Sequence, residues 1–234
     1  LSRTGRLVGV PDLEGAALDL GEAMRLGLAL PGDGLCVAGR PGYRVAAGGK
    51  GQGFDPFGNA GDALADTSAY SGWNALAVSA FLELYRLGDD RGWLALGRRI
   101  QGGVRARLSD PDGLFRHCVR GDGPFLLSDQ AMIARAALDL YDAEARAEDL
   151  ELARDLGDRM LDGFAGTTGA LRDRSPDTGE TVAPAADRLL PAANGVAAQV
   201  LLRLHAHTGN DRYRSSAERI LIELIGPNLD RAAH

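Results

Sequence analysis

One stretch of the chain occurs three times, and that repetition limits what the chain can fold into more than any other feature. Asn74 to Tyr85 (NALAVSAFLELY) reads in register with Gln130 to Tyr141 (QAMIARAALDLY) and with Asn194 to His205 (NGVAAQVLLRLH). The same offsets, 56 and then 64 residues, carry on into a second segment. There Trp93 to Ile100 falls on Asp149 to Leu156 and on Tyr213 to Ile220, with a small residue (Gly97, Ala153, Ala217) at one shared place. Self-similarity of this length marks a helical repeat whose units are hairpins, each burying its apolar face against the next.

The two helices of each hairpin differ. The first is apolar nearly all round, with a thin polar stripe: Ser79, Glu83, Arg86, then Arg135, Asp139, Asp142, then Gln199, Arg203. Helices of that kind are buried on most sides. The second is amphipathic, as in Trp93, Leu96, Ile100 and Val104 against Arg98, Arg99 and Arg105. The contrast predicts an inner helix followed by an outer one. Turns within hairpins are short, at Gly88-Asp89-Asp90, around Ala145–Glu148 and at Gly209-Asn210-Asp211, with glycine or a capping side chain at the reversal. The links between hairpins, Ser109–Leu127 and Gly163–Ala193, are long. Short and long connections alternate between the two ends of a helical layer. The long ones therefore gather at one end, with the starts of the inner helices. That end is the mouth, where function is expected.

The fold class expected is all-α: an (α/α) helical-hairpin toroid or partial toroid of three clear hairpins, with short β elements in the long links. Residues 1–70 read as a glycine-rich lead-in with one helix, and 71–234 as the repeat domain. In the lead-in, Asp12–Leu30 carries helical apolar spacing with Asp12 as N-cap, while Leu35–Val37 and Tyr43–Ala46 read as short strands around the Gly39–Gly42 turn. Gly48-Gly49-Lys50-Gly51 is not a phosphate loop, because Lys50 precedes glycine rather than Ser or Thr. Three hairpins are half of a six-hairpin ring. The apolar flanks of an isolated half lead to the expectation of an upstream portion, for which Leu1 in place of Met also argues, or of a homodimer.

Composition removes several function classes. A net charge of -6 and a pI near 5.2 offer no electrostatic footprint for nucleic acid or an anionic membrane. No apolar run is long enough to span a bilayer and no signal-peptide pattern opens the chain, so a cytoplasmic protein is expected. Cys36 and Cys118 form no C-x-x-C pair and read as bystander thiols. No cluster has metal-ligand spacing and no cofactor is expected.

The chemistry available at the mouth is polar and aromatic. Asn74, Gln130 and Asn194 start the inner helices at equivalent positions, with Trp73 and Asp129 just before the first two. Helix starts carry unpaired N–H groups that suit an anion, so these residues are candidate ligand contacts. The plainer reading makes Ser71, Ser128, Asp129 and Asn194 helix caps. Asp66, Asp129, Asp173 and Asp187 are candidates for paired carboxylates, although Arg116, Arg120, Arg172, Arg174 and Arg188 crowd the same links and would pair with them. His117 is the histidine placed for acid–base work, while His205 and His207 lie at the far end. Eight aromatics (Tyr43, Phe54, Phe57, Tyr70, Trp73, Phe115, Phe125, Phe164) sit in the links or at helix entrances, where they could stack on sugar rings or form small loop cores. The expected site is therefore Asp129, His117 and Asp187 for catalysis, with Trp73, Asn74, Arg116, Gln130, Arg172 and Asn194 for ligand.

Several motifs, Ser71-Gly72-Trp73-Asn74-Ala75-Leu76, Gly113-Leu114-Phe115-Arg116, Leu127-Ser128-Asp129-Gln130-Ala131, Pro191-Ala192-Ala193-Asn194-Gly195-Val196-Ala197 and Thr208-Gly209-Asn210-Asp211-Arg212-Tyr213-Arg214, together cover roughly residues 66–226. In these the chain resembles the YyaL-type thioredoxin-domain family, which joins a thioredoxin-like domain to a toroid of the six-hairpin glycosidase and N-acylglucosamine epimerase type. The family's cysteine motif is absent here, so the resemblance implies no redox chemistry. It does imply a toroid that binds or processes a carbohydrate-like small molecule. The alternative is a non-catalytic scaffold partnering a thioredoxin-like domain.

Overall fold

A computed structural model describes residues 11–27, 35–36, 45–46, 53–54, 68–119, 123–174 and 191–232. Among these residues there are seven helices: α1 (Pro11–Gly27), α2 (Ser71–Gly88), α3 (Arg91–Leu108), α4 (Leu127–Glu144), α5 (Ala147–Gly163), α6 (Ala193–Thr208) and α7 (Asp211–Ala232). The repeats predicted from sequence are the hairpins α2–α3, α4–α5 and α6–α7. A two-residue antiparallel ladder, β1 (Val45–Ala46) on β2 (Gly53–Phe54), lies in the lead-in. Of the short strands expected around the Gly39–Gly42 turn, Val45–Ala46 is found as a strand, with Val45 facing Phe54 and Ala46 facing Gly53, while Val37, Tyr43 and Arg44 lie outside the described residues. Helix α1 begins at Pro11 rather than after an Asp12 cap, since proline at the first helical position forfeits no hydrogen bond.

The chain divides into two compact units, 1–104 with 118–120, and 105–117 with 121–234. In the second unit α4 packs on α5 and on α6, and α6 packs on α7. Burial separates inner from outer helix as the sequence contrast predicts. Helix α4 buries residues on every side, from Leu127 and Met132 through Ile133, Ala137 and Leu140, whereas α5 buries one stripe: Asp149, Ala153, Leu156, Gly157 and Met160. The thin polar stripe of the inner helices also has a partner. Arg203 of α6 donates to Asp139 and Asp142 of α4, each at 2.8 Å, and His207 stands 3.2 Å from Asp142.

In the first unit α1 packs on α2, and Phe81 of α2 stacks on Trp93 of α3 with ring centroids 5.6 Å apart. Two glycines show what α1 is. A Cβ on Gly21 of α1 would lie 2.1 Å from Leu84 and 3.4 Å from Trp93; one on Gly157 of α5 would lie 2.5 Å from Leu204 and 3.7 Å from Tyr213. Leu84 and Leu204 are repeat equivalents, as are Trp93 and Tyr213. Helix α1 therefore stands to the first hairpin as α5 stands to the third, in the place of an outer helix.

The reversals inside the hairpins are also equivalent. Asp89, Ala145 and Gly209 follow the inner helices with φ of 55°, 54° and 70°, and their N–H groups bond the carbonyls of Tyr85, Tyr141 and His205. Glycine fills this left-handed position only in the third copy, so the first two carry the Cβ strain of that conformation.

Candidate functional site

Each inner helix starts by gripping the link that precedes it, and it does so with the same atom pair. The Asn74 amide oxygen accepts from Cys36 N–H at 2.7 Å while its NH2 donates to the Cys36 carbonyl at 2.9 Å. Gln130 does this to Phe115 (2.9 and 2.8 Å), and Asn194 to Leu171 (2.9 and 3.0 Å). A carboxamide offers one acceptor and two donors at about the spacing of a peptide edge, so it can stand in for a neighbouring strand. All three side chains are fully buried. Their task is to satisfy backbone groups that would otherwise be orphaned away from water.

This arrangement corrects two expectations. Asn74, Gln130 and Asn194 spend their amides on the backbone rather than presenting them to a ligand. Nor do Ser71, Ser128, Asp129 or Asn194 cap the inner helices: the N-cap residues are Tyr70, Leu126 and Ala192, without side-chain cap hydrogen bonds. The helices begin one to three residues earlier than the capping reading needs.

The clamped links have a common backbone. Ser109 bridges Phe115 and Ala165 bridges Leu171, while Arg116 N–H bonds the Leu108 carbonyl (2.9 Å) and Arg172 N–H bonds that of Phe164 (2.7 Å). Gly113 and Gly169 turn the two loops with φ of 84° and 114°, a region in which a side chain is strained. The links also meet. Leu127 N–H bonds the Asp173 carbonyl at 2.9 Å, and Leu126 bridges Arg174. Residues 109–117 and 165–174 therefore lie at the end where α4 and α6 begin.

One side-chain pair at this rim has the makings of chemistry. Asp129, in the first turn of α4 and 2% exposed, accepts or shares a proton with His117 Nδ1 at 2.9 Å; the His117 side chain is 40% exposed. The hydrogen bond to the Asp129 carboxylate raises the imidazole pKa above its usual value, with the carboxylate's charge adding to the effect and partial burial opposing it. A buried carboxylate that orients an open imidazole is a proton-transfer device in outline. The pair also explains the adjacency of Asp129 and Gln130: one holds the His117 side chain, the other the Phe115 backbone two residues earlier.

The remaining candidates are distributed as follows. Arg116 pairs with Asp110 at 3.2 Å. Arg172 is half-buried, and its Nε is buried without a hydrogen-bond partner. Trp73 is 42% exposed on the first turn of α2, its ring tilted 45° against Tyr70 at 6.2 Å. Phe115 and Phe164 are buried and form loop cores rather than a stacking surface. Asp66, Asp187, Arg120 and Arg188 lie outside the described residues. Burial pushes the Cys36 thiol up to about 11, which suits the bystander reading. Among the described residues no group of acids, histidines and cysteines could hold a metal ion, and no helix is long and apolar enough to cross a membrane. A groove lined by Glu22, Arg25, Asp90, Trp93 and Arg99 lies beside the α2–α3 turn.

Sequence reasoning missed the clamp partners Cys36, Phe115 and Leu171 and the Asp110–Arg116 pair. A signal was there. The 56-residue offset runs on through the links, laying Gly113 on Gly169 and Arg116 on Arg172.

No protein-family model matches the chain, and no curated protein matches it. Solved structures do. A D-mannose isomerase aligns with TM-score 0.57 at 12% identity over 69% of this chain and 46% of its own. A sugar epimerase from a ruminal bacterium aligns with TM-score 0.59 at 14% identity, covering 96% and 72%. A glycoside hydrolase family 76 mannosidase from Bacteroides thetaiotaomicron VPI-5482 aligns with TM-score 0.54 at 16% identity, covering 68% and 44%. The fold is thus that of the (α/α)-toroid glycosidases and epimerases, and the chain spans less than half the length of the isomerase and the mannosidase.

Proposed function

We propose that this chain is a toroid domain that binds a carbohydrate at the rim where the inter-hairpin links meet, with His117 as its acid–base group. The observation that carries the reading is the His117–Asp129 pair, 2.9 Å long, buried on the carboxylate side and open on the imidazole side. The repeat makes the argument sharper. The positions equivalent to His117 and Asp129 in the third hairpin hold Asp173 and Ala193, so a scaffold built three times carries this pair once. A purely structural contact would serve each copy equally. The proteins whose structures share the fold are named as acting on sugars: an isomerase, an epimerase and a mannosidase. Proton transfer to or from a sugar hydroxyl or carbon is the chemistry an oriented imidazole would supply. Asp187 is the remaining candidate for a second acid–base group.

Thermal-shift and calorimetric titration with a panel of hexoses and disaccharides tests this. Binding in the wild type that His117→Gln weakens or strips of turnover supports the reading; silence across the panel ends it.

A second reading has its own observation. Leu18, Leu20 and Leu26 of α1 are 40%, 50% and 50% exposed, large apolar side chains spread around the helix that a protein partner would cover. On that reading the chain is an interaction domain for a thioredoxin-like domain. Leu18→Glu with Leu20→Glu would abolish co-purification with such a domain and leave sugar binding unchanged.

A further inference from the structure

Two arginines occupy the same place in successive links, yet among the described residues only one of them has a carboxylate partner. Arg116 and Arg172 each follow the clamped residue, Phe115 or Leu171, and each bonds its own N–H to the end of the preceding outer helix. Arg116 finds Asp110 at 3.2 Å. The residue equivalent to Asp110 is Gly166, and a Cβ there would lie 2.3 Å from the Ala170 carbonyl oxygen and 4.0 Å from Arg172 Cγ. The second link therefore leaves no room for the side chain that would answer Arg172. Among the described residues no carboxylate pairs with Arg172, and its Nε is buried without a partner. A buried N–H of a charged group forfeits its hydration and gains nothing in exchange, so it is a place where a ligand atom is expected.

We propose that Arg172 is the anchor for an oxyanion carried by the sugar, the carboxylate of a uronic acid or the phosphate of a sugar phosphate. The inference rests on the reading of the rim as a carbohydrate site and names the substrate class for it. The placement fits. Leu171 is held by Asn194 from the start of α6, and the Asp173 carbonyl is held by Leu127 at the start of α4, so Arg172 lies between the two helix starts. Asp129 sits in the first turn of one of them. A guanidinium offers two parallel N–H donors to a carboxylate or phosphate, and an anion delivered by the ligand would take the role that Asp110 plays for Arg116.

The test is calorimetric titration of the full chain with glucuronate, glucose 6-phosphate, inorganic phosphate and glucose. At least one of the two anionic sugars is expected to bind about tenfold or more tightly than glucose, the difference one charged hydrogen-bonded pair supplies. Which of the two wins identifies the oxyanion. Arg172→Leu and Arg172→Gln should both erase that advantage, and Arg172→Lys should restore part of it. An advantage that is absent in the wild type, or intact in the folded Leu and Gln variants, overturns the assignment. So does glucose 6-phosphate binding no tighter than inorganic phosphate, if glucuronate shows no advantage either. Glucose binding without anionic preference sinks the role of Arg172 alone; no response to any sugar sinks the rim reading with it.

Discussion

The link that carries Phe115 and the link that carries Leu171 share a backbone and differ in their chemistry. Both are pinned by a carboxamide from the next inner helix, both close on a bridge six residues wide, and both turn at a glycine with positive φ. On that common frame the first link places Asp110, a paired Arg116 and His117 against Asp129; the other places Gly166, an Arg172 without a carboxylate partner among the described residues, and Asp173. Because a side-chain amide and backbone hydrogen bonds do the holding, the neighbouring positions are released from structural duty. This is how a repeat protein can vary the side-chain chemistry of one copy without losing the fold of the others.

The comparison breaks most easily at the clamps. Gln130→Leu and Asn194→Leu each strand a buried N–H and a buried C=O, and each should cost about 3 kcal/mol in urea unfolding. Equal costs would confirm that the frame is shared; a harmless Gln130→Leu would show that Phe115 is held by packing alone. Next come the turns. Gly113→Ala and Gly169→Ala force a Cβ into a left-handed conformation at about 1–2 kcal/mol. Gly169 should be the worse, since its φ of 114° lies farther from the left-handed region open to L side chains than the 84° of Gly113, whose Cβ would meet only the movable end of the Arg159 side chain.

The His117 pair gives a smaller effect with a clear sign. Its folded pKa is raised, so the stabilisation is complete below the ordinary histidine value, about 6.5, and fades as the pH rises through the raised one. Asp129→Asn should lower the His117 titration midpoint in proton NMR and flatten stability between those two values. An unmoved midpoint would mean that the carboxylate does not control the imidazole. The smallest change is expected from Asp110→Ala. The Arg116 side chain is 43% exposed, so losing the ion pair should cost about 0.5 kcal/mol or less in thermal unfolding. A larger loss would make Asp110 part of the frame rather than of the variable chemistry.

Much of the fold was legible because hairpin repeats write their geometry locally. Apolar spacing separated α4 from α5, the short reversals fell where the repeats said, and the polar stripe of Asp139, Asp142 and Arg203 marked surfaces that do pair across α4 and α6. The candidate site was less legible. Asn74, Gln130 and Asn194 stood out for good reason, but a carboxamide at a helix start has the same appearance in sequence whether it faces ligand, caps the helix or holds a loop. The pairing of His117 with Asp129 crosses a link, and spacing along the chain does not report it.

The sequence by itself determined the number of hairpins, their order and which helix of each is buried, because periodicity over a dozen residues fixes which face must leave water. Tertiary structure alone decided where the polar side chains spend their hydrogen bonds. A buried donor is satisfied by whatever acceptor the packing brings within 3 Å, and that neighbour is 12 residues away for His117, 15 for Gln130 and 38 for Asn74.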